Sequence, residues 1–122
     1  MVRKVIECEV YKCAPLFIWD CTIDELIDYL EKKENVKEDD WSFLAKADGV
    51  AMTLDTDEGI LRVVWIKDRK LTAKSIARVA HEVIHLCVRI LEHKGVPYDS
   101  YRNADESLAY LADFFIRKLY EK

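Results

Sequence analysis

The sequence predicts an α+β domain: a small, mainly antiparallel sheet packed on two long helices and one shorter one. Three observations carry this expectation. β-Branched and apolar residues fill two arms between 49 and 67 around an acidic turn with a glycine, the pattern of a β-hairpin. Apolar residues recur at helical spacing over 72–94 and again over 105–121. Thr22-Ile23-Asp24-Glu25 is a capping box that opens a shorter helix over 22–33; the threonine hydroxyl satisfies a free amide and the glutamate reaches back.

In chain order, the alternation Ile6-Glu7-Cys8-Glu9-Val10 has period two and predicts an N-terminal, half-buried strand that Pro15 breaks. Leu16-Phe17-Ile18-Trp19 is either a second extended piece or the lead-in to a helix. Leu26, Ile27 and Leu30 form the stripe of the first helix, which runs out in the charged stretch 31–35. Asp40 to Leu44 reads as a short helical turn held by Trp41 and Phe43. The hairpin that follows is either scaffold or, through an exposed edge, a rail for an extended peptide. The first long helix starts at Thr72 or Ser75 and stops at Gly95, with Pro97 beyond. Its apolar face is Ile76, Val79, Ala80, Val83, Leu86, Cys87, Ile90 and Leu91; Lys74, Arg78, His81, His85 and Glu92 lie nearly opposite. After a loop over 96–104, a last helix starts near Asn103 or Asp105. Leu108, Leu111, Ala112, Phe115, Ile116 and Leu119 make its apolar side, and Glu106, Tyr110, Asp113 and Arg117 fall on the other.

The 122 residues suit one domain over 1–122. A formal net charge of −4 with both signs interspersed offers nothing to nucleic acid or an anionic membrane, which reward clustered Lys and Arg. No apolar run approaches the roughly 20 residues of a membrane span. The N-terminus meets Arg3 and Lys4 too early for a signal peptide, so the expected compartment is the cytoplasm. Cys8, Cys13, Cys21 and Cys87 lack the spacing of a disulfide framework and include no CxxC pair. Free thiols in or near the core are the expectation, and a second metal site from Cys8, Cys13 and Cys21 is the alternative. A homodimer suits so small a chain, although nothing in the sequence specifies one.

The sharpest chemical signal is His81-Glu82-Val83-Ile84-His85. Histidines four apart share a helical face and converge two imidazoles on a point where a Zn2+ ion fits. Glu82 points about 100° away around the helix, as suits a general base that takes a proton from a water rather than a ligand. A catalytic zinc asks for three protein ligands and one open position. Glu106 is the favoured third ligand, with Asp99, Asp105 and Asp113 as rivals. Tyr110 shares the face of Glu106, where its hydroxyl would stabilise an oxyanion.

With these residues the chain resembles a zincin metallopeptidase of the gluzincin group: His81-Glu82-Val83-Ile84-His85, then Glu106 on a following helix. It is similar to short metallopeptidase-like proteins of bacteriophages and prophages in Gly49 to Ile66, Ala80 to His85, Gly95, and Glu106 with Ala109-Tyr110-Leu111. The resemblance covers roughly residues 48 to 118. It implies a minimal zincin-like fold, zinc on His81, His85 and Glu106, Glu82 as catalytic base, and a peptide or protein substrate. Larger gluzincins often carry an aspartate where this chain has Tyr110, and a second subdomain for which there are no residues here. The expected function is metal-dependent peptide-bond hydrolysis. A non-catalytic zinc protein, such as a phage-derived factor that binds a host protein, is the alternative, and an interaction domain without metal is the third.

Overall fold

The structure is a computed structural model that describes residues 1–96 and 105–121, with the side chain of Asp105 excepted. In order it contains β1 (Val2–Val5), β2 (Leu16–Trp19), α1 (Ile23–Lys33), a 3-10 turn (Ser42–Leu44), β3 (Gly49–Thr56), β4 (Gly59–Ile66), α2 (Ala73–Lys94) and α3 (Asp105–Tyr120). The four strands form one sheet in the order β1-β2-β4-β3. Two of its three pairings are antiparallel, and the central one, β2 with β4, is parallel. This is the expected α+β architecture with a mostly antiparallel sheet. Asp99, Asn103 and the rest of the expected loop beyond Val96 lie outside the described residues.

Alternation along the inner strands divides the core in two. Phe17, Trp19, Val64 and Ile66, with Ala51, face α2 and α3. Leu16, Ile18, Val63 and Trp65, with Met52 and Leu54, face α1, whose Leu26 and Leu30 are fully buried. The helices therefore cover both faces of the sheet. Phe115 of α3 reaches Phe17 with ring centroids 5.7 Å apart.

The local signals act where the sequence puts them. Thr22 Oγ1 accepts from the Glu25 amide and the Glu25 carboxylate accepts from the Thr22 amide, so the capping box is complete. Thr72 caps α2 by accepting from the Ser75 amide. Ser75 itself is buried; its hydroxyl accepts from Lys70 N–H and donates to the Asp68 carbonyl, which fastens the β4–α2 connection. At the other end Gly95 has φ 69°, and the amides of Gly95 and Val96 reach the carbonyls of Glu92 and Leu91. That is a Schellman stop, and its left-handed residue favours glycine. Two cations secure the end of α3: Lys4 Nζ donates to the Lys118 carbonyl and Arg69 donates to that of Leu119, with the Arg69 guanidinium over the ring of Trp19.

Three expectations need correction. The first strand is Val2–Val5, not the alternating stretch from Ile6 to Val10, which leads into a turn. Leu44 is the buried anchor of the turn at 42–44, whereas Phe43 is 50% exposed. On α2, Ile76 of the expected apolar face is exposed.

Candidate metal centre

Helix α2 crosses the sheet with Ser75, Val79, Glu82, Val83, Leu86, Cys87, Ile90 and Leu91 buried. His81 and His85 lie on the next row outward and are exposed. Their Nε2 atoms stand 3.2 Å apart, with ring planes at 79°. A tetrahedral zinc with Zn–N bonds of about 2.05 Å separates two nitrogen ligands by about 3.3 Å, so the rings already hold the spacing of a shared cation. The same separation suits an N–H···N hydrogen bond between neutral rings, which a metal would replace. Helical spacing produces this pair without further support, since i and i+4 stack on one face.

Glu82 completes a compact group. Ligand atoms of His81, Glu82 and His85 all lie within 4.8 Å of one another, close enough to hold a metal ion. Glu82 is 8% exposed, and no hydrogen bond or ion pair joins its carboxylate to another of the described residues. The carboxylate oxygens themselves are not sealed from water, so the group can meet an ion or a water beside the imidazoles without a full desolvation cost. This polar group aimed at two imidazoles is the clearest sign that the arrangement fits a metal.

The room for Glu82 comes from β3. A Cβ placed on Gly49 would stand 3.2 Å from Glu82 Cγ, 3.3 Å from Glu82 Oε2 and 3.3 Å from Arg78 Cγ. Gly49 is therefore a close approach of strand to helix, the use a strand glycine commonly has. Its neighbour Asp48 pairs with Arg78 at 3.2 Å, and the Asp48 carbonyl accepts from Lys67 N–H at 2.9 Å. These contacts hold the first residue of β3 against the turn of α2 that carries the site. In the sequence Gly49 reads only as the start of a hairpin, and this role does not show there. The signal that could have found it is a glycine at a strand start, next to an acid able to pair with a basic residue of the helix.

β3 is also the edge strand beside this centre. Its Thr56↔Gly59 pair closes a two-residue turn, so Thr56, Leu54, Met52 and Val50 direct their backbone groups to β4 and the alternate residues direct theirs outward. The outward carbonyl of Asp55 accepts from Lys37 N–H at 3.0 Å. The outward groups of Gly49, Ala51 and Thr53, nearer Glu82, have no backbone partner among the described residues.

The remaining expected site residues lie elsewhere. Glu106 is exposed in the first turn of α3 and is not a member of the compact group. Tyr110 is 71% exposed and lines a cavity with Val10, Tyr11 and Phe114. Asp113 pairs with Arg117 at 2.8 Å. Asp99 and the side chain of Asp105 lie outside the described residues. Cys8, Cys13, Cys21 and Cys87 are free thiols. Cys21 packs in the cluster on the α1 side and Cys8 in the one on the α2 side, so a site made of Cys8, Cys13 and Cys21 is not assembled. No described helix is long and apolar enough to cross a membrane. Comparison with models of known protein families, with curated proteins and with solved structures finds no match to this chain.

Proposed function

We propose that this protein is a zinc-dependent peptidase whose chemistry is centred on Glu82. The observation that carries the reading is a carboxylate on a largely buried side chain, within 4.8 Å of two imidazoles whose Nε2 atoms converge. His81 and His85 hold the ion through Nε2, and Glu106 is the proposed third protein ligand, the residue that the gluzincin-like spacing selects. Zinc, when bound, supplies a Lewis acid and an acidified water. Glu82 accepts the proton of the attacking water and returns it to the leaving amine. Gly49 and the Asp48–Arg78 pair hold the strand against Glu82 and so fix where that carboxylate stands. The open backbone groups of Gly49, Ala51 and Thr53 bind the substrate as an added strand, which favours an extended peptide over a folded one. Tyr110 is a proposed oxyanion donor because it shares the helix face of Glu106.

Zinc content of the purified protein and cleavage of a broad peptide library test this together. The wild type is expected to hold stoichiometric zinc, and His81→Ala to lose it. Glu106→Ala is expected to weaken zinc binding. Glu82→Gln is expected to keep zinc and to lose about a hundredfold to ten-thousandfold in turnover, the usual share of a general base. A wild type that binds no zinc sinks the reading. One that binds zinc and cuts no peptide leaves a non-catalytic zinc protein, the alternative with a phage-derived interaction role.

A further inference from the structure

The β1–β2 hairpin continues beyond β1. Its register pairs Val5 with Leu16, and the same register pairs Ile6 with Pro15 and Cys8 with Cys13. Ile6 N–H donates to the Pro15 carbonyl at 3.2 Å, a one-sided rung because proline has no N–H to return. Cys8 N–H donates to the Cys13 carbonyl at 2.8 Å and Cys13 N–H to the Cys8 carbonyl at 3.2 Å. The two cysteines are thus the last rung of the hairpin, closed by a turn over 9–12 in which Lys12 has φ 50°. A rung that exchanges both bonds sets its α-carbons about 5.5 Å apart, a separation common in disulfides. Cys8 is buried and Cys13 half-buried; Cys13 opens into one cavity lined by Lys12, Arg62, His93 and Lys94, and together with Cys8 it lines a second that carries Glu7 and Glu9.

We propose that Cys8 and Cys13 are a site of reversible covalent modification, which closes to an intramolecular disulfide by exchange with a small anionic disulfide such as glutathione disulfide. The Cys13 thiolate attacks one sulfur of the donor and expels a donor thiolate, leaving a mixed disulfide on Cys13. The Cys8 thiolate then attacks the Cys13 sulfur and expels the second donor thiolate. Two cysteine protons pass to solvent, the cysteine pair loses two electrons and the donor gains them. Approach through the cavity of Lys12, Arg62, His93 and Lys94, rather than past Glu7 and Glu9, favours an anionic donor. β-Carbons of a doubly bonded rung lie farther apart than an unstrained disulfide asks, so closure draws in the free end of the hairpin and the bond is readily reduced. Burial pushes the Cys13 thiol up to about 11, so exchange accelerates as pH rises toward that value.

The experiment treats the reduced, folded protein with glutathione disulfide, traps free thiols by alkylation and maps the peptides. A Cys8–Cys13 link is expected, with Cys21 and Cys87 alkylated. Closure of that link should be favoured about tenfold or more over the same reaction in urea-unfolded protein, where only loop entropy brings the thiols together. Cationic cystamine, referred to the unfolded chain in the same way, is expected to lose several-fold of that advantage. Cys13→Ser, which keeps the backbone rung, is expected to give no intramolecular link. A different pairing, equal closure in folded and unfolded protein, or an undiminished advantage for cystamine would overturn the proposal.

Discussion

Toward α1 the sheet presents Leu16, Ile18, Val63 and Trp65; toward α2 and α3 it presents Phe17, Trp19, Val64 and Ile66. The same strands build both faces by simple alternation, yet the two cores differ in kind. Among the described residues the buried polar side chains are Ser75 and Glu82, and both belong to α2. The α1 face is closed by Leu26, Leu30 and Leu44, each with no exposed surface. One face is packing, and its worth scales with the apolar area it removes from water. The other includes an acid whose side chain is largely buried while its carboxylate stands beside two imidazoles. The first region is packing alone, and the second carries the residues of the proposed metal site.

The largest effect expected from this division is at Leu30. Leu30→Ala should cost about 2–5 kcal/mol, since a fully buried leucine leaves a cavity, measured as a shift of the urea midpoint. The folded fraction should bind zinc with unchanged affinity. A weaker zinc affinity in folded Leu30→Ala would show that the faces are coupled and would break the comparison.

A smaller effect is expected where strand meets site. Gly49→Ala places a methyl against Glu82 and Arg78 at 3.2–3.3 Å; the expected loss is about 1 kcal/mol, with zinc retained. If the variant gained stability instead, the two side chains would have room to withdraw and the glycine would not be there for close approach.

The smallest effect lies on the α1 side and depends on pH. The Thr22 backbone amide, helped by the Thr22 hydroxyl, holds the Glu25 carboxyl below its usual 4.5. A depressed folded value means that the charged form is favoured by folding. The contribution is therefore fully present above 4.5 and is lost as pH falls through the folded value. Unfolding of wild type and Glu25→Gln should differ at neutral pH and converge in acid. A difference that persists unchanged in acid would show that charge is not what the cap uses.

Much of this structure is legible because its signals are local. Thr22 with Glu25, Thr72, and Gly95 mark helix ends within a few residues, and the spacing of His81 and His85 alone brings their nitrogens together. The misreadings arise where partners are distant in sequence. The alternation at Ile6 to Val10 looks like a strand, but Pro15 lacks the N–H to hold the opposite side of its rung, so regular pairing ends at Val5. Glu82 borders the apolar face on a helical wheel, but the Gly49 backbone it packs against comes from another element. The parallel pairing of Leu16 with Val63 has no local signature at all.

That central pairing bears on how the chain assembles. β1 with β2 and β3 with β4 are each short-range hairpins, whereas β2 and β4 meet only after α1 and the residues around it have been threaded between them. Until they meet, Leu16-Phe17-Ile18-Trp19 and Val63-Val64-Trp65-Ile66 are both open apolar edges. Contacts of such long range form slowly, and an open apolar edge pairs with any strand it encounters. The middle of the finished sheet, its best protected part, is therefore the most vulnerable part of the nascent chain. Dilution during refolding should matter more for this protein than its size alone suggests.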